Sequence, residues 1–364
     1  MADEVTKPKK QEQELANDDV VEVAPNVLRM MLPINFTGLG HVNMYGLLDD
    51  RGVAIIDPGL PGPKSFKIVE QRLKDAEIPI KRIHSVIVTH SHPDHYGGAA
   101  RLAKEAGAEL ITHAGFQTFF GAGHRCLDPT HGHVEGGVEA DECDDAAPND
   151  APWSRPTPWG TDFHRPPMGR RLQMSMLRTV MMRRRFAPPT PTTRVRGGDV
   201  MKLAGRDMFA VYTPGHTTDH LCIHDPEEGL LFSGDHILPT ITPHISGLGH
   251  DPDPLASFFA SLDRCAELDN VTNVLPAHGH PFDDVVGRVK AIKRHHDERI
   301  AQLREASAEV GWATVVDLSK KIFQPRVWGS MAESETYAHL EHLIQLGEAE
   351  KRGEDLTLEY LVKH

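Results

Sequence analysis

Thr89-His90-Ser91-His92-Pro93-Asp94-His95 sets four potential metal ligands within six residues, directly after the apolar run Ile83-His84-Ser85-Val86-Ile87-Val88. The run predicts a strand, and the polar stretch the turn at its end. Side chains two apart in extended chain point the same way, so His90 and His92 can close on one ion. Asp94 and His95 then turn toward a second. Imidazoles and a carboxylate at one turn are donors suited to Zn²⁺ or a similar borderline ion at ~2.0–2.2 Å. The plainer alternative is a histidine-rich surface loop.

Two ions need more ligands than one loop supplies, and other candidates stand in the same setting. Phe209-Ala-Val-Tyr-Thr-Pro-Gly215 precedes His216, Gly229-Leu-Leu-Phe-Ser-Gly234 precedes Asp235, and Val271-Thr-Asn-Val-Leu-Pro-Ala277 precedes His278. Strand ends aligned along one sheet edge surround a shared cleft, so groups distant in sequence can converge there.

These motifs resemble those of the metallo-β-lactamase superfamily of binuclear hydrolases, from Asp57 in Ile55-Ile-Asp-Pro-Gly59 through HxHxDH to His216, Asp235 and His278, across roughly residues 25–285. The resemblance implies an α/β fold, an αββα sandwich with the metals at one edge of two sheets. It implies that His90, His92 and His216 hold the first metal, that Asp94, His95 and His278 hold the second, and that Asp235 bridges them. Asp57 would orient the cluster from behind; a turn-capping Asp is its other reading. The metals would be two divalent ions, Zn²⁺ first, with Mn²⁺ or Fe²⁺ also compatible with such donors.

The same resemblance separates subclasses. Zinc β-lactamases with a cysteine in the second site differ from this chain, whose Cys126, Cys143, Cys222 and Cys265 all lie off the motif. A β-lactam substrate is therefore not expected. Mononuclear iron dioxygenases leave the second site incomplete, whereas His95 and His278 are both present. Hydrolysis at two metals follows as the expectation: water shared between two cations ionises near pH ~7 and becomes a nucleophile. Asp94 would orient that hydroxide and pass a proton to the leaving group. His244 either hydrogen-bonds substrate or serves its loop. His220 reads as a local hydrogen-bonding histidine, and His131 and His133 stay unassigned.

The chain has 364 residues and a net charge of −13. That length suggests a large domain with an appendage, and the acidic balance argues against a broad phosphate-binding surface. Met1–Val20 is polar without an apolar signal-like core, and no run of about 18 apolar residues occurs. Unclustered cysteines fit reduced thiols. A soluble, cytoplasmic protein with no membrane partner is expected.

Residues 1–23 read as a loosely attached leader, 24–285 as the hydrolase domain and 286–364 as a C-terminal helical, winged-helix-like domain. Within the second, 115–193 reads as a lid-like insertion. Between Arg165 and Arg196 lie nine arginines and no acid, interleaved with Met168, Met174, Met176, Met181 and Met182. Such a stretch could be a helical lid over an anionic substrate with an apolar portion, Arg183, Arg184 and Arg185 holding the anion. Equally, it could be a peripheral helix paired with the acidic loop before it. Trp153, Trp159 and Phe163 flank that pocket or anchor the linker.

Helices are predicted over Asp284–Ala308, Thr314–Ile322 and Ser334–Leu346, with a strand over Leu356–Val362. This order, and Thr213-Pro-Gly-His-Thr-x-Asp-His220, resemble the beta-lactamase-like protein 2 branch, some of whose members are endoribonucleases. Hence two functions are weighed: hydrolysis of a thioester such as an acyl-CoA, or of an ester or lactone, and cleavage of single-stranded RNA. Residues 311–364 hold six Lys/Arg against nine Asp/Glu, which disfavours nucleic acid there. The tail would instead pack on the core or form a homodimer interface.

Overall fold

The computed structural model describes residues 10–36, 38–118, 157–160, 189–249, 251–353 and 358–363. Strands β1 (Val20–Ala24), β2 (Val27–Phe36), β3 (Leu39–Asp49), β4 (Gly52–Ile56), β5 (Ile83–Ile87), β6 (Glu109–His113) and β7 (Thr193–Val195) form a seven-stranded sheet in that order. Pairing is antiparallel up to β4 and parallel from β4 to β7. A tight turn joins β3 to β4: Asp49 Oδ1 accepts from the backbone N–H of Arg51 (2.9 Å) and Gly52 (3.1 Å).

A second, five-stranded sheet contains β8 (Val200–Leu203), β9 (Arg206–Tyr212), β10 (Leu221–Asp225), β11 (Leu230–Gly234) and β12 (Asn273–Pro276), ordered β12-β11-β10-β9-β8. The two sheets bury Tyr45, Leu47 and Ile56 against Leu203, Met208, Leu221 and Phe232. On the outer face of the first sheet lie α1 (Pro63–Asp75), α2 (Pro93–Tyr96) and α3 (Ala99–Ala106); Phe66, Val69, Leu73 and Leu102 pack there on Met30, Val42 and Val86. Helices α4 (Pro254–Ala266) and α5 (Val285–Val310) cover the second, burying Leu255, Phe258 and Ile292 on Val211, Leu231 and Val274. Helix, sheet, sheet and helix give the expected αββα layers.

Beyond the sandwich, β13 (Ala313–Thr314), α6 (Val315–Ile322), α7 (Ser330–Gln345), β14 (Ala349–Arg352) and β15 (Glu359–Val362) follow. Their sheet runs β13-β15-β14, around a core of Leu303, Leu318, Leu340, Leu343 and Tyr360. The division expected at 285/286 falls on the first turn of α5. That helix is continuous, giving Val285, Val289 and Ile292 to the sandwich core and Leu303 and Ala306 to the C-terminal one.

The leader expected over 1–23 is described from residue 10, and that part is attached. Val20–Val21 pair with Arg29–Met30, and Arg72 holds Asn17 O (2.9 Å) and Asp18 Oδ1 (2.5 Å). Glu12 is fully buried because the N–H groups of Thr240 (2.7 Å) and Ile241 (3.0 Å) and the Thr240 hydroxyl donate to its carboxylate. A charged segment that finds such donors can be buried without apolar periodicity. Trp159 likewise proves an anchor: it is buried against Tyr337 and donates Nε1–H to Glu333 (3.2 Å). Trp153 and Phe163 lie outside the described residues, as does most of 115–193.

Candidate metal centre

Strands β4 and β5 run parallel, as do β11 and β12, while β9 is two antiparallel steps from β11. Their C-terminal ends therefore share one edge of the sandwich. Loops leaving that edge carry Asp57, the 89–95 stretch, His216, Asp235 and His278. Two groups form: His90, His92, His216 and Asp235, whose ligand atoms lie within 4.8 Å of one another, and Asp94, His95 and His278, equally close.

Hydrogen bonding fixes which ring nitrogens face inward. The Thr89 hydroxyl donates to Asp57 Oδ2 (2.7 Å), so its oxygen accepts from His90 Nδ1–H (3.0 Å) and His90 Nε2 is left for the centre. His216 donates Nδ1–H to the His244 carbonyl (2.8 Å), His278 to the His41 carbonyl (2.6 Å), and His95 to Asp57 Oδ2 (2.9 Å). Each presents Nε2 inward, the usual arrangement for imidazole ligands oriented from behind. His92 Nδ1 sits 3.0 Å from His90 Nε2 and 3.1 Å from His216 Nε2. At most one proton fits among those three nitrogens, whereas a cation would satisfy all three lone pairs.

Asp235 stands between the groups. One oxygen is 3.8 Å from His90 Nε2 and 3.6 Å from both His216 and His95 Nε2; the other is 3.2 Å from His278 Nε2. Asp94 Oδ2 is 3.6 Å from His95 and His278 Nε2. Close as these atoms are, they are not aligned as hydrogen bonds: the buried His95 Nε2, His278 Nε2 and Asp235 Oδ1 have no hydrogen-bond partner among the described residues. Orphaned buried donor atoms converging on one point fit metal ligation.

Charge divides the two groups. Burial, with repulsion from neighbouring rings, holds His90 and His92 well below the ordinary imidazole range; burial also lowers His216. Burial works against charge on His95 and His278 too, but Asp235 and Asp94 outweigh it and raise both. Asp235, which burial alone would raise, is driven well below the carboxylate range by His278 and His95. Asp235 and Asp94 thus favour the protonated forms of His95 and His278, and a cation entering there would compete with those protons.

His220 takes the local role expected of it, accepting from the Asp235 N–H (3.1 Å) through Nε2 and contacting Thr213 Oγ1 (2.7 Å) through Nδ1. The His244 ring lies against α7, with Nδ1 3.3 Å from Glu335 Oε2 and Nε2 3.1 Å from Ser334 Oγ. Burial alone would raise the Glu335 carboxyl, yet His244, His339 and Arg299 bring it down to about 2. Arg183, Arg184, Arg185, His131 and His133 lie outside the described residues.

Sequence reading missed Thr89, His41 and Glu335. Thr89 adjoins the motif and was open to notice; a histidine within a β-strand and a glutamate on a distant helix carry no local signal. A cleft of about 380 Å³ lined by Lys10, Thr240, Thr242, Arg288, Arg294 and His295 opens beside the loop after Asp235. A cavity of about 660 Å³ bordered by Phe209, Tyr212, His224 and Arg264 contains none of the clustered ligands.

The family model described as Metallo-beta-lactamase superfamily matches residues 37–278. The chain belongs to that superfamily. Lactamase-like protein nscB of Aspergillus fumigatus is 34% identical over 106 residues, 29% of this chain and 30% of the relative. The beta-lactamase-like protein 2 homolog of Caenorhabditis elegans is 31% identical over 37% of this chain and 43% of its own length. An atrochrysone carboxyl ACP thioesterase of Cryptosporiopsis sp. is 31% identical over 32% of this chain and 34% of that protein. The matches thus span well under half of these relatives. Among solved structures, a metallo-beta-lactamase family protein of Thermus thermophilus aligns over 94% of this chain and 100% of its own, with 25% identity and a TM-score of 0.69. A beta-lactamase domain protein of Burkholderia ambifaria aligns over 96% of both chains, with 26% identity and a TM-score of 0.69.

Proposed function

We propose that this superfamily hydrolase cleaves a small carbonyl substrate, a thioester such as an acyl-CoA or an ester or lactone, with two divalent ions. The observation carrying this reading is the pair of adjoining buried ligand groups that share Asp235. His90, His92 and His216 would hold one ion and Asp94, His95 and His278 the other, Zn²⁺ being the first expectation for such donors. When bound, such ions lower the pKa of water and polarise a carbonyl oxygen.

The chain's own residues do the rest. Asp57 and the carbonyls of His41 and His244 orient the imidazoles. Asp94, buried within the second group, would take the proton of the attacking water and return it to the leaving group. Lys10, Arg288 and Arg294 outnumber the one acid, Glu298, in the lining of the cleft beside the Asp235 loop, which suits an anionic arm on the substrate. The thioesterase named among the relatives supports the choice of a thioester.

A panel of acyl-CoA thioesters, aryl esters, lactones and single-stranded RNA, assayed with Zn²⁺-loaded protein, tests the reading. A carbonyl substrate should turn over fastest, and Asp94→Ala should slow it by roughly 10²–10⁴-fold. Faster cleavage of RNA than of every carbonyl substrate, abolished by the same substitution, would overturn it.

A further inference from the structure

We propose that Glu335, on the C-terminal helix α7, is a positioning residue for His216, acting through His244. This rests on the reading of His216 as a metal ligand. His216 donates Nδ1–H to the His244 carbonyl at 2.8 Å, so that carbonyl sets the angle at which His216 Nε2 faces the centre. The residue carrying the carbonyl is pinned in turn. Its ring meets Glu335 Oε2 (3.3 Å) on one side and Ser334 Oγ (3.1 Å) on the other, two adjacent positions of one helix. With both ring nitrogens engaged, His244 cannot turn without leaving α7.

The helix that supplies these contacts is itself fixed to the sandwich. His342 meets both carboxylate oxygens of Asp253, the N-cap of α4, at 3.0 Å. A Cβ on Gly247 would collide with the Tyr337 ring, so the loop after His244 lies flush on α7. His339 donates Nδ1–H to the Glu335 carbonyl (2.7 Å), and the Arg299 guanidinium lies 3.9 Å from the Glu335 carboxylate.

Glu335 lies outside the family-matched residues 37–278, and its helix belongs to the C-terminal unit. That unit thereby acts as part of the centre's support and not only as an appended module. The other group has a comparable brace at the opposite terminus: the His41 carbonyl holds His278, while the His41 ring is held by Glu14 O (2.7 Å) and Gly279 N (3.0 Å).

The test is titration of the metal-free full-length protein with Zn²⁺ against a competing chelator, with the visible spectrum of the Co²⁺-loaded form as a report on ligand geometry. Glu335→Ala should raise one of two dissociation constants by roughly tenfold, leave the other unchanged and alter the Co²⁺ spectrum. Glu335→Gln, which keeps an acceptor for His244, should restore most of the affinity. Leu318→Ala, in the C-terminal core away from His244, should lower the melting temperature and leave both constants as in the wild type. Should Glu335→Ala fail to fold, Ser334→Ala must weaken the same ion. Wild-type affinity in Glu335→Ala, or equal weakening in Leu318→Ala, overturns the proposal. A wild-type protein that binds fewer than two Zn²⁺ ions removes the two-ion reading, and the proposal with it.

Discussion

Asp57 shows how much a single side chain settles at this centre. One oxygen accepts the Thr89 N–H (2.9 Å); the other takes the Thr89 hydroxyl (2.7 Å) and His95 Nδ1–H (2.9 Å). One carboxylate thus orients ligands in both groups, His95 directly and His90 through Thr89. Its backbone has φ +52°, a left-handed conformation that Asp and Asn adopt more readily than most residues. Asp57→Asn keeps that preference and an acceptor for the Thr89 N–H but loses the charge. It should weaken Zn²⁺ binding roughly 10–100-fold in a chelator competition. Asp57→Ala should in addition lower stability by about 1–3 kcal/mol, since Thr89 then has buried groups without partners. Unchanged Zn²⁺ affinity in Asp57→Asn would show that Asp57 serves the turn alone.

At the scale of elements, the strand-turn-helix around the metal loop depends on Gly97 and Gly98, between α2 and α3. A Cβ on Gly97 would land on backbone atoms of Leu60 and Pro61, and one on Gly98 would meet Pro58 O, far inside van der Waals contact. These glycines let the metal loop lie directly on the Asp57–Pro61 loop. Gly97→Ala should cost about 1–3 kcal/mol in urea unfolding and reduce Zn²⁺ uptake. Gly107→Ala, where a Cβ would meet open space and only the positive φ of +77° is strained, should cost about 1 kcal/mol and leave uptake intact. Equal effects on uptake would contradict the packing account. Such elements could be read from sequence because pattern and packing agree: alternating or continuous apolar runs give β3, β4 and β5, and Phe66, Val69 and Leu73 give α1. Where they disagree, sequence misled or was silent. Glu12 is buried through hydrogen bonds, and β14, Ala349-Glu-Lys-Arg352, is a strand with three exposed charged residues. The seven candidate ligands could be read for the same local reason, each following a strand. Their braces, His41 and Glu335, depend on contacts 237 and 91 residues away in sequence.

For the whole molecule, the C-terminal unit and the sandwich are joined through α5 and α7, where polar pairs are buried with the apolar ones. His339 donates its Nδ1 proton to Glu335 O, so a neutral His339 accepts from His296 Nδ1–H (3.0 Å), while His296 Nε2 has no partner among the described residues. Burial, aided by His339, lowers His296 to about 3. Because the folded pKa lies below the ordinary value, stability from the neutral ring is complete above pH ~6.5 and is lost as pH falls toward 3. His296→Gln should flatten the pH dependence of unfolding in that window, by up to about 1.4 kcal/mol per pH unit; an unchanged slope would place His296 outside the acid response. The central claim is that one carboxylate joins two buried ligand groups into a two-ion hydrolytic centre. Its most direct test is the Zn²⁺ content of the loaded wild type and of Asp235→Ala, by elemental analysis after removal of loosely bound ions. Two ions per wild-type chain and at most one in Asp235→Ala are predicted; two in both, or fewer than two in the wild type, would contradict the claim.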